Sequence, residues 1–436
     1  MKKNICTILF TIITLSLAGQ TIKLSAPPFA GKQVRLYYFE GAKTDSLLSV
    51  IDPQGNVKLV IPESEYRGMA TLMVVGAGAL EMIVAEPVVK VNCNNSQLNT
   101  ETVSFIGSAE NDFLKHIFLT QSQYMRQQVW LEGGMNLFPD NLSLKAQLNT
   151  EQSKLQKTME RGQQQIANSS LYAAQYYRLA DFMNRLFSTE QRRDSKAALD
   201  IRHEMESTLD IASLYTSGQL WNSALNFYAS LFNHTLNDSI KQEQYAASIQ
   251  KTCERLPAPY FEAFIAGCIT ETERFGWRKA QEKIIGHLLS RYQGFSSTYP
   301  NLQRAIAAYR LGRNEQMPAI IGLKDTKNVY DKTLIAFHDS DCNTCVNEMY
   351  RLRVIYSQLE EKGIRVVSIA ADTDRIRYEE ATKDYPWVDK LCDFKGFEGA
   401  NFSNYNVIGS PSFYMIDKNR KLLGVYFSMS DVENDL

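Results

Sequence analysis

The spacing of apolar residues changes twice along this chain, and no single layer of secondary structure accommodates all three spacings. From about residue 20 to 107, "QVRLYYFEG", "DSLLSVIDPQGNVKLVIP", "ATLMVVGAGALEMIVAEPVVKVNC" and "TVSFIG" alternate at a period of two. They break at Asp52-Pro53-Gln54-Gly55, at Gly76-Ala77-Gly78 and around Asn94-Asn95. Short alternating strands with turn chemistry between them predict a small antiparallel sandwich or barrel. From about 109 to 315, in "NDFLKHIFLTQSQYMRQQVWLEG", "SLYAAQYYRLADFMNRLF" and "YFEAFIAGCITETERFGWRKAQEKIIGHLLSRY", apolar and aromatic residues fall three and four apart. That spacing predicts amphipathic helices in a bundle or array. Breaks are expected at Gly133-Gly134, Pro139, Pro257, Pro259 and Pro300. The aromatic stripes there read as core.

Beyond about 316 the pattern alternates between strand and helix. "KTLIAFH" reads as a buried strand, "CVNEMYRLRVIYSQLEEKG" as a helix ending at Gly363, and "IRVVSIAAD" as a second buried strand. "RIRYEEATKDY" reads as a helix, followed by the strand pair "PSFYMID" and "KLLGVYF" joined at Lys418-Asn419-Arg420. This order describes an α/β domain with a mixed sheet. At 436 residues the chain exceeds what one ordinary core organises, which agrees with several domains. The expected fold is therefore multidomain: an N-terminal antiparallel β-sandwich (20–108), a central all-α region (109–315) and a C-terminal α/β domain (316–436).

The first residues read as an address. Lys2 and Lys3 precede the apolar stretch Ile5 to Leu17, with small residues at Ser16, Ala18 and Gly19. This is the pattern of a secretory signal over residues 1–19, cleaved near Ala18 or Gly19, and the stretch is short of the ~20 residues that span a bilayer. Cys6 lies inside the apolar stretch, which disfavours a lipid anchor at that cysteine. A periplasmic location is expected. Lys+Arg 47 against Asp+Glu 48 leaves a formal net charge of −1, without the basic footprint of a nucleic-acid binder.

Outside the cytoplasm an unpaired exposed thiol is a liability, so a close cysteine pair is a staple, a metal site or a redox centre. Six cysteines follow the signal: Cys93, Cys253, Cys268, Cys342, Cys345 and Cys392. Cys253 and Cys268 flank the Pro257/Pro259 break and are either a disulfide or two buried thiols. Cys342 and Cys345, in "HDSDCNTCVNEM", fall at the first turn of a helix directly after a buried strand. Unpaired backbone N–H groups and the helix dipole favour negative charge there, which marks Cys342 as the nucleophile. Three residues on, Cys345 returns to the same face as the resolving thiol. Far downstream, Ser410-Pro411 in "NVIGSPSFYMID" opens a strand. Proline there marks an edge, a bulge or a cis turn, and a cis turn leaves neighbouring backbone groups to pair with an extended peptide.

CNTC between strand and helix, a following βα unit, then "YNVIGSPSFYMIDKNRKLLG", resembles the thioredoxin superfamily, and more narrowly the extracytoplasmic TlpA and ResA type of thiol-disulfide oxidoreductase. The resemblance covers about residues 316 to 436 and implies a C-terminal thioredoxin fold. It implies that Cys342 attacks, Cys345 resolves and Pro411 is the cis-proline facing them, with Ser410 beside it in substrate binding. It also implies that Glu348, three residues after Cys345, is the buried acid near the cysteines, able to carry the proton of Cys345. A surface glutamate is the alternative. The front half is similar to the β-domain and helical spacer that precede thioredoxin modules in secreted bacterial proteins.

Departures from that pattern lie close to the cysteines. Asp341 stands where the family usually has Trp, Asn343-Thr344 where Pro or His is common, and Ala336 where thioredoxin itself buries an aspartate. A carboxylate at Asp341 opposes thiolate formation at Cys342. The closing helix, "DVENDL", allows one to two turns.

The expected function is a periplasmic thiol-disulfide oxidoreductase exchanging disulfides with secreted or envelope proteins, or with apocytochromes, and recharged by a membrane or periplasmic electron donor. No cofactor and no stable metal are expected, because a zinc site wants four ligands and only one CxxC is present. His338, four residues before Cys342, is a base or metal ligand, or simply a satisfied side chain. Cys392 is a third redox thiol or a structural one. A peroxidase reading lacks the Pro-and-Thr context upstream of its cysteine. The alternative from another class is a non-catalytic envelope binding or assembly protein that keeps a thioredoxin-like domain as scaffold.

Overall fold

The structure, a computed structural model, describes residues 19–62, 66–234, 237–258, 260–312, 316–324 and 330–436. The expected signal stretch up to Ala18, and Pro259, lie outside the described residues. The chain is multidomain, with mixed sheets and many helices, and divides into two compact units. One holds the residues up to Asp181 together with Ala212–Trp221; the other holds Phe182–Ile211 and Asn222–Leu436.

The first unit opens with eight strands: β1 (Thr21–Ser25), β2 (Gln33–Glu40), β3 (Lys43–Val50), β4 (Asn56–Val60), β5 (Gly68–Val74), β6 (Gly78–Val84), β7 (Val88–Cys93) and β8 (Val103–Phe105). They form two four-stranded sheets, ordered β4-β1-β7-β8 and β3-β2-β5-β6. Alternate residues such as Val34, Leu36, Leu72, Met82, Ile22 and Val91 turn inward from both sheets into one core. One pairing departs from the antiparallel expectation: β1 and β7 run parallel, with Ile22 opposite Val89. A period of two reports which face of a strand is buried and carries no information about its neighbour's direction.

Two long helices follow, α1 (Ala109–Leu137) and α2 (Leu142–Asn168). Ser108 and Asn141 cap them, their side-chain oxygens accepting from Asn111 N and Leu144 N. Gly133-Gly134, read from sequence as a break, lies inside α1. A Cβ at Gly134 would stand 3.1 Å from Leu148 Cδ1, so the missing side chain serves a close approach of α1 to α2. A glycine costs a helix only about 1 kcal/mol, which such packing offsets.

The chain continues through α3 (Tyr172–Arg192), α4 (Ser195–Ser207), α5 (Ile211–Tyr215), α6 (Gln219–Phe232), α7 (Asp238–Cys253), α8 (Tyr260–Phe275), α9 (Arg278–Arg291) and α10 (Pro300–Leu311). The second unit then adds β9 (Lys332–His338), α11 (Asn343–Glu361), β10 (Ile364–Ala370), α12 (Arg375–Thr382), β11 (Asp389–Cys392), α13 (Ala400–Asn404), β12 (Ser412–Asp417), β13 (Leu422–Tyr426) and α14 (Met429–Asn434). Its sheet is ordered β11-β10-β9-β12-β13, parallel across β11, β10 and β9 and antiparallel from β9 onward. β9 is apolar from Leu334 to Phe337 because both its faces are covered there. Leu334 and Ala336 pack with Met349 and Leu352 of α11, while Ile335 and Phe337 pack with Phe402 and Tyr405. Helix α11 stops where Gly363 adopts a positive φ of 69°.

Within this unit the helices and the α/β part pack directly. Arg278 of α9 pairs with Asp435 at 3.0 Å, and the Ser428 hydroxyl donates to the Glu273 carbonyl at 3.5 Å. Gly276 faces α14 so closely that a Cβ would meet Asn434 Nδ2 at 2.6 Å.

Candidate redox site

Strand β9 delivers the chain to a tight turn. Asp339 Oδ1 accepts from Asp341 N at 2.9 Å, and the Asp339 carbonyl accepts from Cys342 N at 3.2 Å. From the adjoining strand end, Asp372 Oδ2 accepts from Ser340 Oγ at 3.1 Å and from Ser340 N at 3.4 Å. The turn sets Cys342 as the N-cap of α11, and its Sγ accepts from Cys345 N at 3.2 Å. Sulfur here takes the place that a Ser or Asp oxygen occupies in an ordinary cap, so one of the helix's unpaired donors points at the thiol.

The two cysteines differ in access. Cys342 is half-buried, whereas Cys345 is fully buried and its thiol donates to Ser410 Oγ at 3.3 Å. Burial first, and the neighbouring Cys342 second, push the Cys345 thiol up to about 12, against a smaller lowering by Ser410. Both sulfurs are free thiols. The Ser410–Pro411 peptide bond is cis, and Ser410 is the residue of that turn whose side chain reaches the dithiol.

Asp341 is not left to act alone on Cys342. Its carboxylate forms an ion pair with Arg377 of α12, both side chains exposed. Glu348 is half-buried, and its Oε2 accepts from Met429 N at 2.6 Å, at the start of α14. Among the described residues that carboxylate bonds a backbone N–H and not a thiol.

His338, at the end of β9, is buried beside the Tyr385 ring at 5.9 Å, and burial pushes it down to about 4. It is thus a neutral side chain at neutral pH. Cys392 ends β11, its thiol donating to the Asp372 carbonyl at 3.4 Å, and burial raises it. Cys253 and Cys268 are buried free thiols in α7 and α8. Among the described residues no cluster of three or more His, Cys, Asp or Glu is placed to hold a metal ion, and no helix is long and apolar enough to cross a membrane.

Two side chains that the sequence did not single out reach this site. Arg304 of α10 donates from Nη1 to the Ser410 carbonyl at 3.3 Å and from Nη2 to Glu273 Oε2 at 3.4 Å. Both sit on amphipathic helices 106 and 137 residues before Ser410, among many similar charged residues, so no local pattern marks them.

No protein-family model matches the chain. It is 26% identical over 132 residues to the thiol-disulfide oxidoreductase ResA of Bacillus cereus, which is 30% of this chain and 74% of that protein. It is 29% identical over 103 residues to ResA of Bacillus thuringiensis subsp. konkukian, 24% of this chain and 57% of that protein. Among solved structures it is similar to a thiol-disulfide oxidoreductase from Bacteroides fragilis, with 20% identity, a TM-score of 0.23, and 26% of this chain against 86% of that one. A thioredoxin-like protein from Bacteroides caccae aligns over 55% of this chain and 92% of its own, with 15% identity and a TM-score of 0.34.

Proposed function

We propose that Cys342 and Cys345 are the reacting dithiol of this chain, a thioredoxin-like thiol-disulfide oxidoreductase whose C-terminal domain is of the TlpA and ResA type, and that its partners are proteins outside the cytoplasm. The observation that carries the assignment is the asymmetry of the pair. One sulfur caps a helix and is reachable; the other is buried one turn along, with its own N–H directed at the first.

In the reducing direction, the Cys342 thiolate attacks one sulfur of a partner disulfide. A mixed disulfide forms, the partner's S–S bond breaks, and one partner thiolate leaves. Cys345 then loses its proton and attacks Cys342 Sγ, releasing the second partner thiolate and closing the Cys342–Cys345 disulfide. The partner gains two electrons and two protons overall; the dithiol loses the same. A dithiol donor in the envelope, membrane-bound or periplasmic, restores the pair. In this reading Glu348 carries the proton of Cys345 on Oε1, Oε2 being engaged by Met429, and Ser410 with Pro411 lines the partner's path.

The expected signal stretch supports a periplasmic site of action, with secreted proteins, envelope proteins or apocytochromes as substrates. The two sheets sharing one core support reading residues 20–108 as a β-sandwich domain, ahead of helices to 315 and the thioredoxin-like domain from 316.

Replacement of Cys345 by Ala in the full chain tests the assignment. Expressed in an envelope context, that variant is expected to accumulate partner proteins disulfide-bonded to Cys342 and released by dithiothreitol. A wild-type dithiol that never opens under mild reductant, together with no trapped partner, would reject the enzyme in favour of a scaffold.

A further inference from the structure

We infer that Arg304 of α10 is a positioning residue for the dithiol, holding the Ser410 turn against Cys345 from outside the thioredoxin-like domain, so that the helical region contributes to the redox site. The inference rests on the assignment of Cys342 and Cys345 as the reacting pair.

Ser410 makes two contacts from one residue. Its hydroxyl accepts from the Cys345 thiol at 3.3 Å, and its carbonyl accepts from Arg304 Nη1 at 3.3 Å. The guanidinium is fixed from other directions as well. Nη2 pairs with Glu273 Oε2 of α8 at 3.4 Å, and the group lies over the Phe427 ring at 5.3 Å. The Arg304 and Glu273 side chains are 19% and 16% exposed, far below an ordinary surface pair, so water screens the contact little. Gly409 admits the approach: a Cβ there would stand 2.8 Å from Arg304 Cδ.

The consequence is both geometric and electrostatic. Fixing the Ser410 carbonyl fixes the backbone that carries the hydroxyl, and so sets where the buried thiol finds its hydrogen-bond partner. A guanidinium bound to that same residue also brings positive charge to the turn that holds the buried thiol, and positive charge near a thiol favours its thiolate. Lysine retains the charge but lacks the planar fork that spans Ser410 and Glu273 at once. Arg278 supplies the comparison. It braces α9 against the end of α14 through Asp435 and lies over Tyr426 at 5.3 Å, and among the described residues its ion-pair partners are Asp435 and Glu282.

The test uses the reduced full chain and a small aromatic disulfide whose two halves are released as coloured thiolates. The first release reports attack by Cys342 and the second the resolving attack by Cys345. Arg304→Gln is expected to slow the second release at least tenfold and to move its pH profile to higher pH, with the first release unchanged. Arg304→Lys is expected to recover part of the rate, and Arg278→Gln to leave both releases as in the wild type. Equal slowing by Arg278→Gln and Arg304→Gln, or unchanged second release in Arg304→Gln, would overturn the inference. Should Arg304→Gln fail to fold, a folded Arg304→Lys with wild-type rate and profile overturns it equally. A wild-type chain that shows no second release removes the dithiol assignment itself, and does so without reference to any variant.

Discussion

The backbone N–H of Cys345 points at the sulfur of Cys342, 3.2 Å away, while the Cys345 thiol is turned inward to Ser410. One residue of the pair thus donates to its partner's sulfur and hides its own. With the Cys345 thiol pushed up to about 12 and its sulfur buried, a limiting amount of iodoacetamide at pH 7 is expected to label Cys342 at least a hundredfold faster than Cys345. Mass spectrometry of the labelled peptides measures this. Equal labelling would mean that the burial of Cys345 does not hold in solution.

The Asp341–Arg377 pair lies on the surface next to Cys342 in the chain. An exposed ion pair contributes about 0–1 kcal/mol, so Asp341→Asn and Arg377→Gln are each expected to shift stability by less than about 1 kcal/mol. Their effects on alkylation of Cys342 should have opposite signs. Losing the anion speeds it, and losing the cation leaves the anion unopposed and slows it, each by roughly two- to fivefold at low salt, fading as salt screens the charges. Rates in low and high salt decide it.

Glu348 has two roles to separate. Replacing it by Gln leaves a neutral oxygen to accept from Met429 N where a charged one stood, a loss of about 1 kcal/mol in denaturant unfolding. If its second oxygen also carries the Cys345 proton, the resolving step slows by about a hundredfold. A stability change with an unaltered resolving rate would confine Glu348 to anchoring α14.

Two buried groups oppose each other in pH dependence. Glu273 is pushed from its ordinary 4.5 up to about 7 by burial, countered by Arg304 and reinforced by Asp431 of α14, itself raised to about 6 by burial. The folded chain holds the Glu273 proton more tightly than the unfolded one. Its contribution is therefore fully present below pH 4.5 and lost as pH rises through about 7. His338, pushed from 6.5 down to about 4, behaves oppositely: its contribution is present above pH 6.5 and lost as pH falls towards 4. Each is at most about 3 kcal/mol. Denaturant unfolding between pH 4 and 7.5 should show Glu273→Gln lessening the loss on the alkaline side and His338→Phe lessening the loss on the acid side.

Legibility in the sequence followed the range of the forces involved. β9 and β10 were readable because burial on both faces leaves short, mostly apolar runs, and the start of α11 because a sharp turn precedes a charged helical pattern. The short strand β11, "DKLC", was missed: four residues carry too little periodicity to separate strand from loop. The parallel β1–β7 pairing and the uninterrupted α1 were misread for a shared reason, since each depends on a partner distant along the chain. At the redox site, the members bound by local geometry could be named. Arg304 could not, because its importance exists only once α10 meets the turn before β12. Glu348 could be placed near the cysteines in sequence, yet α14 supplies it a bonding partner that spacing does not reveal.

The packing of α8, α9 and α10 against the last strand and helix changes what counts as a transplantable part. A segment cut out at residue 316 would leave behind the arginine that bonds its Ser410 turn and bare the surface that Gly276 fits. Shuffled into another host, it would arrive without its support.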